Sequence, residues 1–287
     1  MVAACAGLSG PHREYDIRFQ GATPPALSAT PTDVELMDAI AWLMIHKLAL
    51  PLPESAKAYV YVNEATLVDG LIKIAGDRPA DAWDRGRFAA GVATREGLFL
   101  RGDYVARMHL VGRAGLFAHE LAHVSQSKLR DGGRGRAPQW LEEGHADWVK
   151  FRVLELLGYR AYAESRAEVV RSVVLSETPI LHFPDLQALA SNARWTRATN
   201  ALGAPATYGQ AFLAVDWLVE QHGSAKVVEF LRRFALGTAP REHWDAVFPV
   251  APRQFADEFR ARLGDLGRAT PAAGAGSPAA SPPSSSR

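Results

Sequence analysis

The sequence predicts an α+β protein with a small N-terminal β-sheet lobe that carries a histidine-bearing helix, followed by a mainly helical C-terminal lobe. Three observations predict it. The β-branched and aromatic runs at 58–62, 91–94 and 98–100 all lie before residue 101. Beyond them, apolar residues recur at three- and four-residue spacing. Both ends are rich in Ala, Gly, Pro and Ser, which bounds one ordered region, 31–265, between a flexible arm at 1–30 and a disordered tail at 266–287. A chain of 287 residues with 48% apolar content can bury one large core, and nothing in it forces two independent domains.

In order, Pro24, Pro25 and Pro31 block regular structure in the arm. Thr32 and Glu35 form a capping box that opens a helix with Val34, Met37, Ile40, Ala41, Met44, Ile45 and Leu48 on one side, ended by Pro51 and Pro53. Residues 58–62 predict a buried strand, and a short helix over 65–74 follows. Segments 91–94 and 98–100 form a hairpin with Gly97 at positive φ. This hairpin either offers its edge to an extended substrate or packs on the core. A helix over about 115–128 comes next, with Phe117, Leu121 and Val124 turned to the core and Ala118 and Ala122 small enough for a close neighbour. Residues 130–136 are a solvated Gly- and Arg-rich loop that lacks a phosphate-binding Lys-Ser/Thr pattern. Pro138 suits the first turn of a helix that continues to Leu156 and stops at Gly158. Further helices are expected at 162–174, 183–189, 208–222, 225–236 (capped by Ser224), 241–248 and 253–263.

Composition excludes several classes of function. With 32 basic against 31 acidic residues the formal charge is +1, so no global field points to nucleic acid or an anionic membrane. No apolar run approaches the roughly 18 residues of a membrane span. The single cysteine, Cys5, rules out an internal disulfide framework and leaves nitrogen and oxygen as metal donors. Val2, Ala3 and Ala4 before Cys5 resemble the segment ahead of the modified cysteine of bacterial lipoproteins. An exported or lipid-anchored form would need a leader upstream of Met1; otherwise the start is an Ala-rich tail.

The chemistry-bearing stretch is His119-Glu120-Leu121-Ala122-His123, followed by Trp140-Leu141-Glu142-Glu143-Gly144-His145-Ala146-Asp147. Residues four apart lie one helical turn above each other, so His119 and His123 present two imidazoles to one point. A catalytic divalent ion takes a third protein ligand and keeps a position for water; Glu143, after 19 intervening residues, is a suitable third. Glu120 then stands beside the site as a general base. Asp147, four residues past Glu143, shares its face and can accept the free N–H of His119, or it is a solvated surface aspartate. His145 points away from Glu143 and is expected in a cleft-lining or packing role, and Trp140 and Leu141 are core anchors. His46, His109, His182, His222 and His243 lack partners at ligand spacing.

The two blocks together resemble the gluzincin metallopeptidases, in particular the peptidase-MA-like group with HExxH and W-L-x-E-G-x-A motifs. The resemblance is close over 117–147 and looser over 55–265. It implies a thermolysin-like zincin domain, one Zn²⁺ per chain on His119, His123 and Glu143, and a peptide or protein substrate cut by a zinc-activated water. It also implies a proton-donating tyrosine, matched by Tyr208 at the opening of a later helix, although Gln210-Ala211 stands where aminopeptidase relatives carry Lys-Gly. A metzincin pattern would require Gly and His where this chain has Gln126 and Leu129. No G-x-M-E-N exopeptidase signature is present, which points to an endopeptidase. The competing expectations are a non-catalytic zinc-bound domain serving as a binding or scaffold module and a zinc hydrolase acting on a non-peptide amide.

Overall fold

The computed structural model describes residues 12–19, 25–87, 89–130, 135–237 and 239–269. Cys5, most of the Gly- and Arg-rich connection and the tail from 270 lie outside the described residues.

The expected arm over 1–30 contains a strand, β1 (His12–Arg18). Its Tyr15, Ile17 and Phe19 alternate with charged residues, and Ile17 and Phe19 are buried. That two-residue period is hidden in the sequence by its Gly- and Pro-rich surroundings. Helix α1 (Asp33–His46) opens on the Thr32/Glu35 capping box, as the sequence predicts. Strand β2 (Ser55–Tyr61) follows, then α2 (Glu64–Lys73), capped by Asn63. Helix α3 (Pro79–Gly86) was not expected; it buries only Ala82 and Gly86 and so shows no apolar stripe, while Pro79 at its start gives it a fixed entry. Strands β3 (Gly91–Ala93) and β4 (Leu98–Arg101) form the predicted hairpin, with Gly97 at φ +144°.

The sheet order is β1-β2-β4-β3, with β2 and β4 parallel and both outer pairs antiparallel. Successive side chains leave opposite faces. Tyr59, Tyr61, Val92 and Phe99 therefore pack with Leu67, Val68, Leu71 and Ala82 of α2 and α3. Ala58, Leu98 and Leu100 pack on the other face, in the main core with α1 and the histidine-bearing helix. All four residues of β4 are buried, as befits a strand covered on both sides.

After a single turn, α4 (Gly102–Val105), comes α5 (Leu110–Leu129), which starts five residues before the expected 115. Its cap is His109, whose Nδ1 accepts from the Gly112 amide at 3.0 Å, a role outside the usual capping vocabulary. Helix α6 (Gln139–Leu156) and α7 (Tyr162–Val174) lie where the sequence puts them. The helix expected at 183–189 is reduced to 3₁₀ turns at Ile180–His182 and Leu186–Leu189, because Pro179 and Pro184 break the segment. Helix α8 (Asn192–Leu202) was not foreseen. Helix α9 (Ala204–His222) starts one turn early, so Tyr208 sits in its second turn rather than at its opening. In α10 (Ser224–Arg233), Ser224 is the first helical residue and makes no capping hydrogen bond. Helices α11 (Pro240–Asp245) and α12 (Pro252–Ala269) close the described chain, α12 passing the expected boundary at 265. Phe255, Phe259 and Leu263, at four-residue spacing, are buried and hold α12 to the body.

Helix α6 is the axis of the helical part, packed against α5 on one side and α9 on the other. The approach of α9 is so close that a Cβ added at Gly144 would lie 2.3 Å from the Ala211 carbonyl oxygen. Among the described residues no helix is long and apolar enough to cross a membrane.

Candidate metal centre

Helix α5 contributes His119 and His123 and α6 contributes Glu143. Their ligand atoms converge: His119 Nε2 lies 3.2 Å from His123 Nε2 and 3.3 Å from Glu143 Oε2, and His123 Nε2 lies 3.6 Å from that same oxygen. This group could hold a metal ion. A tetrahedral ion bound at zinc-like lengths needs donor-to-donor separations of roughly 3.3–3.4 Å, so the three donors already stand at the spacing that such an ion requires. The imidazoles keep 15% and 21% side-chain exposure, which leaves the trio reachable from solvent.

Each donor is held by a further side chain. Asp147 Oδ1 lies 2.9 Å from His119 Nδ1, as the four-residue offset from Glu143 predicts, and also accepts from Lys150 Nζ at 2.9 Å. Asp147 is buried, so its reading as a solvated surface aspartate falls. Gln126 Oε1 lies 2.9 Å from His123 Nδ1, and Gln139 Nε2 donates to Glu143 Oε1 at 2.8 Å, leaving Oε2 for the cluster. Neither amide was singled out as a site residue in the sequence. Their offsets, three after His123 and four before Glu143, are the signal that would have found them.

The charges reinforce one another. Burial would push the His119 imidazole down, but the Asp147 and Glu143 carboxylates raise it to about 10. His123 is raised as well, Glu143 outweighing the burial. Burial opposes ionisation of Glu143 and Asp147, yet the facing histidines hold Glu143 well below the usual carboxylate range, and Lys150 with His119 brings Asp147 to about 2.

Glu120 is 5% exposed and lies outside the metal trio. Burial pushes its carboxyl up, against the pull of the two histidines and of the Ala93 backbone. Strand β3 runs directly beneath: a Cβ added at Gly91 would lie 2.9 Å from Glu120 Cγ. The Tyr208 ring centre is 6.5 Å from that of His119, and Trp195 of α8 meets Tyr208 edge-on at 4.9 Å. The negative charge of Glu143, with burial, raises the Tyr208 hydroxyl well above its ordinary value, so it keeps its proton. Trp195 had no signal in the sequence.

His145 is not one of the donors. It is 1% exposed and stacks on Trp148 at 6.2 Å, so packing is its role and the cleft-lining alternative falls; burial, with His123 nearby, lowers it to about 3 and keeps it neutral. Glu142 pairs with Arg130. Trp140 and Leu141 are buried core residues.

Comparisons with protein-family models, with curated proteins and with solved structures found no match.

Proposed function

We propose that this chain is a zinc-dependent metallopeptidase of the thermolysin-like, gluzincin kind, hydrolysing internal peptide bonds. The observation that carries the reading is the convergence of two Nε2 atoms and one carboxylate oxygen at tetrahedral spacing, with a carboxylate that is not a ligand, Glu120, beside them. Two imidazoles and a carboxylate with an open position are a donor set that suits zinc. Zinc bound there would lower the pKa of a coordinated water towards about 7 and polarise a carbonyl.

The protein's own groups supply the rest. Glu120, raised by burial, is suited to take a proton from the attacking water and pass it to the leaving amine. Tyr208, held protonated, is suited to donate a hydrogen bond to the carbonyl oxygen as charge builds on it. Asp147 and Gln126 keep the two imidazoles turned to the site.

A peptide substrate suits the sheet edge beside Glu120. Strand β3 ends the sheet. The Arg101 amide donates to the Ala90 carbonyl and the Thr94 amide to the Gly97 carbonyl, so the antiparallel alternation turns the backbone groups of Gly91 and Ala93 away from β4. The Ala93 carbonyl accepts from Arg85, and Gly91 is left to pair with an extended chain.

The test is metal analysis and peptide-library cleavage for wild type and Glu120→Gln. About one zinc in each protein, with cleavage in the wild type alone, is expected. Equal zinc without cleavage by either protein would make the chain a binding module, and undiminished cleavage by the variant would remove Glu120 as base.

A further inference from the structure

We propose that Gln126 is a positioning residue for the metal centre, fixing which ring nitrogen of His123 is presented to the metal. The proposal rests on the reading that His119, His123 and Glu143 hold a metal.

Gln126 is 1% exposed on α5, one turn beyond His123. Its amide nitrogen lies 2.8 Å from the backbone carbonyl oxygen of Glu142. A carbonyl oxygen only accepts, so this contact requires the NH₂ side of the amide, and the flipped amide would set two oxygens against each other. The orientation of the side chain is therefore determined. Its oxygen must face His123 Nδ1, where it stands at 2.9 Å. An amide oxygen also only accepts, so Nδ1 must carry the hydrogen, and in the neutral ring the lone pair is then on Nε2, the atom that converges with His119 and Glu143.

The second amide hydrogen of Gln126 has an acceptor of its own. His145 Nδ1 lies 3.3 Å from Gln126 Nε2, which places the His145 proton on Nε2. That Nε2 has no partner among the described residues, so the contact to Gln126 is what fixes the polarity of His145. A buried histidine with one nitrogen unpaired is explained as the far end of this clamp. The carbonyl that Gln126 grips belongs to the peptide bond joining Glu142 to Glu143, so one side chain ties the ring of one donor on α5 to the backbone of another on α6.

The two histidines are thus held differently: His119 against an anion, Asp147, and His123 against a neutral amide. With Glu120, Glu143 and Asp147 already clustered, an amide orients the second ring without adding a fourth negative charge.

The test uses metal-free full-length protein, titrated with zinc against a chromophoric chelator, in wild type, Gln126→Met and Gln126→Glu. Gln126→Met removes both contacts at similar volume and should weaken zinc binding about 10- to 100-fold, the usual effect of losing such a partner. Gln126→Glu keeps an acceptor for His123 while losing the donor to Glu142. It should bind zinc at least as tightly as wild type and, loaded with cobalt(II), show shifted visible d–d bands. Wild-type affinity in Gln126→Met, or a loss in Gln126→Glu as deep as in Gln126→Met, overturns the proposal. Should Gln126→Met not fold, an unchanged cobalt spectrum in Gln126→Glu overturns it alone. A wild type that binds no zinc removes the metal reading itself, an outcome distinct from the others.

Discussion

Around Glu120 the tolerance is a matter of single atoms. A methyl group at Gly91 would meet Glu120 Cγ at 2.9 Å and its Oε1 at 3.0 Å, so Gly91→Ala must displace the carboxylate. A misplacement of about 1 Å lowers catalysis by about 100-fold, so kcat/KM should fall by that order while zinc content and thermal midpoint stay at wild-type values; loss of zinc would show a wider disturbance. Tyr208→Phe should lower kcat by about 100- to 1000-fold with little change in KM, as steady-state kinetics will show; a change confined to KM would make Tyr208 a binding residue. The donors and Asp147 were legible in the sequence because each lies one helical turn from another, on helices whose apolar spacing is regular. Gln126 and Gln139 were not, although the same periodicity places them. Glutamine is an ordinary surface residue, and only the folded contacts, with Gln126 buried at His123 and Gln139 donating to Glu143, show that these two are committed to the site.

At the scale of elements, the crossing of α6 and α9 brings Tyr208 to the trio. Gly144 permits it, since any side chain there would strike the Ala211 backbone. This is a physical reason for a glycine next to Glu143. Gly144→Ala should force the helices apart, destabilising the fold by about 1–3 kcal/mol as read from the denaturant midpoint, and should lower activity because α9 carries Tyr208 away from the centre. Full stability in that variant would mean that α9 shifts without loss. The elements that the sequence showed are those with many buried residues in register, such as α5, α6 and β4. It missed β1, α3, α8 and the single turn α4. Helix α8 buries Trp195 alone, so no repeating pattern marks it, and β1 is set among residues that disfavour regular structure. Proline decided the reverse case, where an expected helix at 183–189 survives as 3₁₀ turns.

For the whole molecule, a metal held between α5 and α6 would join the helix packed on the sheet to the axis of the helical part, so its removal should be felt globally. At free zinc about 1,000 times Kd, binding adds about 4 kcal/mol to stability. Chelation should therefore lower the thermal midpoint by roughly 10 °C in a chain of this size, and restored zinc should return it; an unchanged midpoint would place the ion outside the folded core. The contact between Trp195 and Tyr208 has a use of a different order. An indole 4.9 Å from Tyr208, whose ring centre is 6.5 Å from His119, is a built-in lamp next to the centre. Cobalt(II) or copper(II) entering the site should quench part of the protein's ultraviolet emission, and Trp195→Phe should remove the share due to that indole. Occupancy could then be followed by light in the native chain, with no dye, label or substrate.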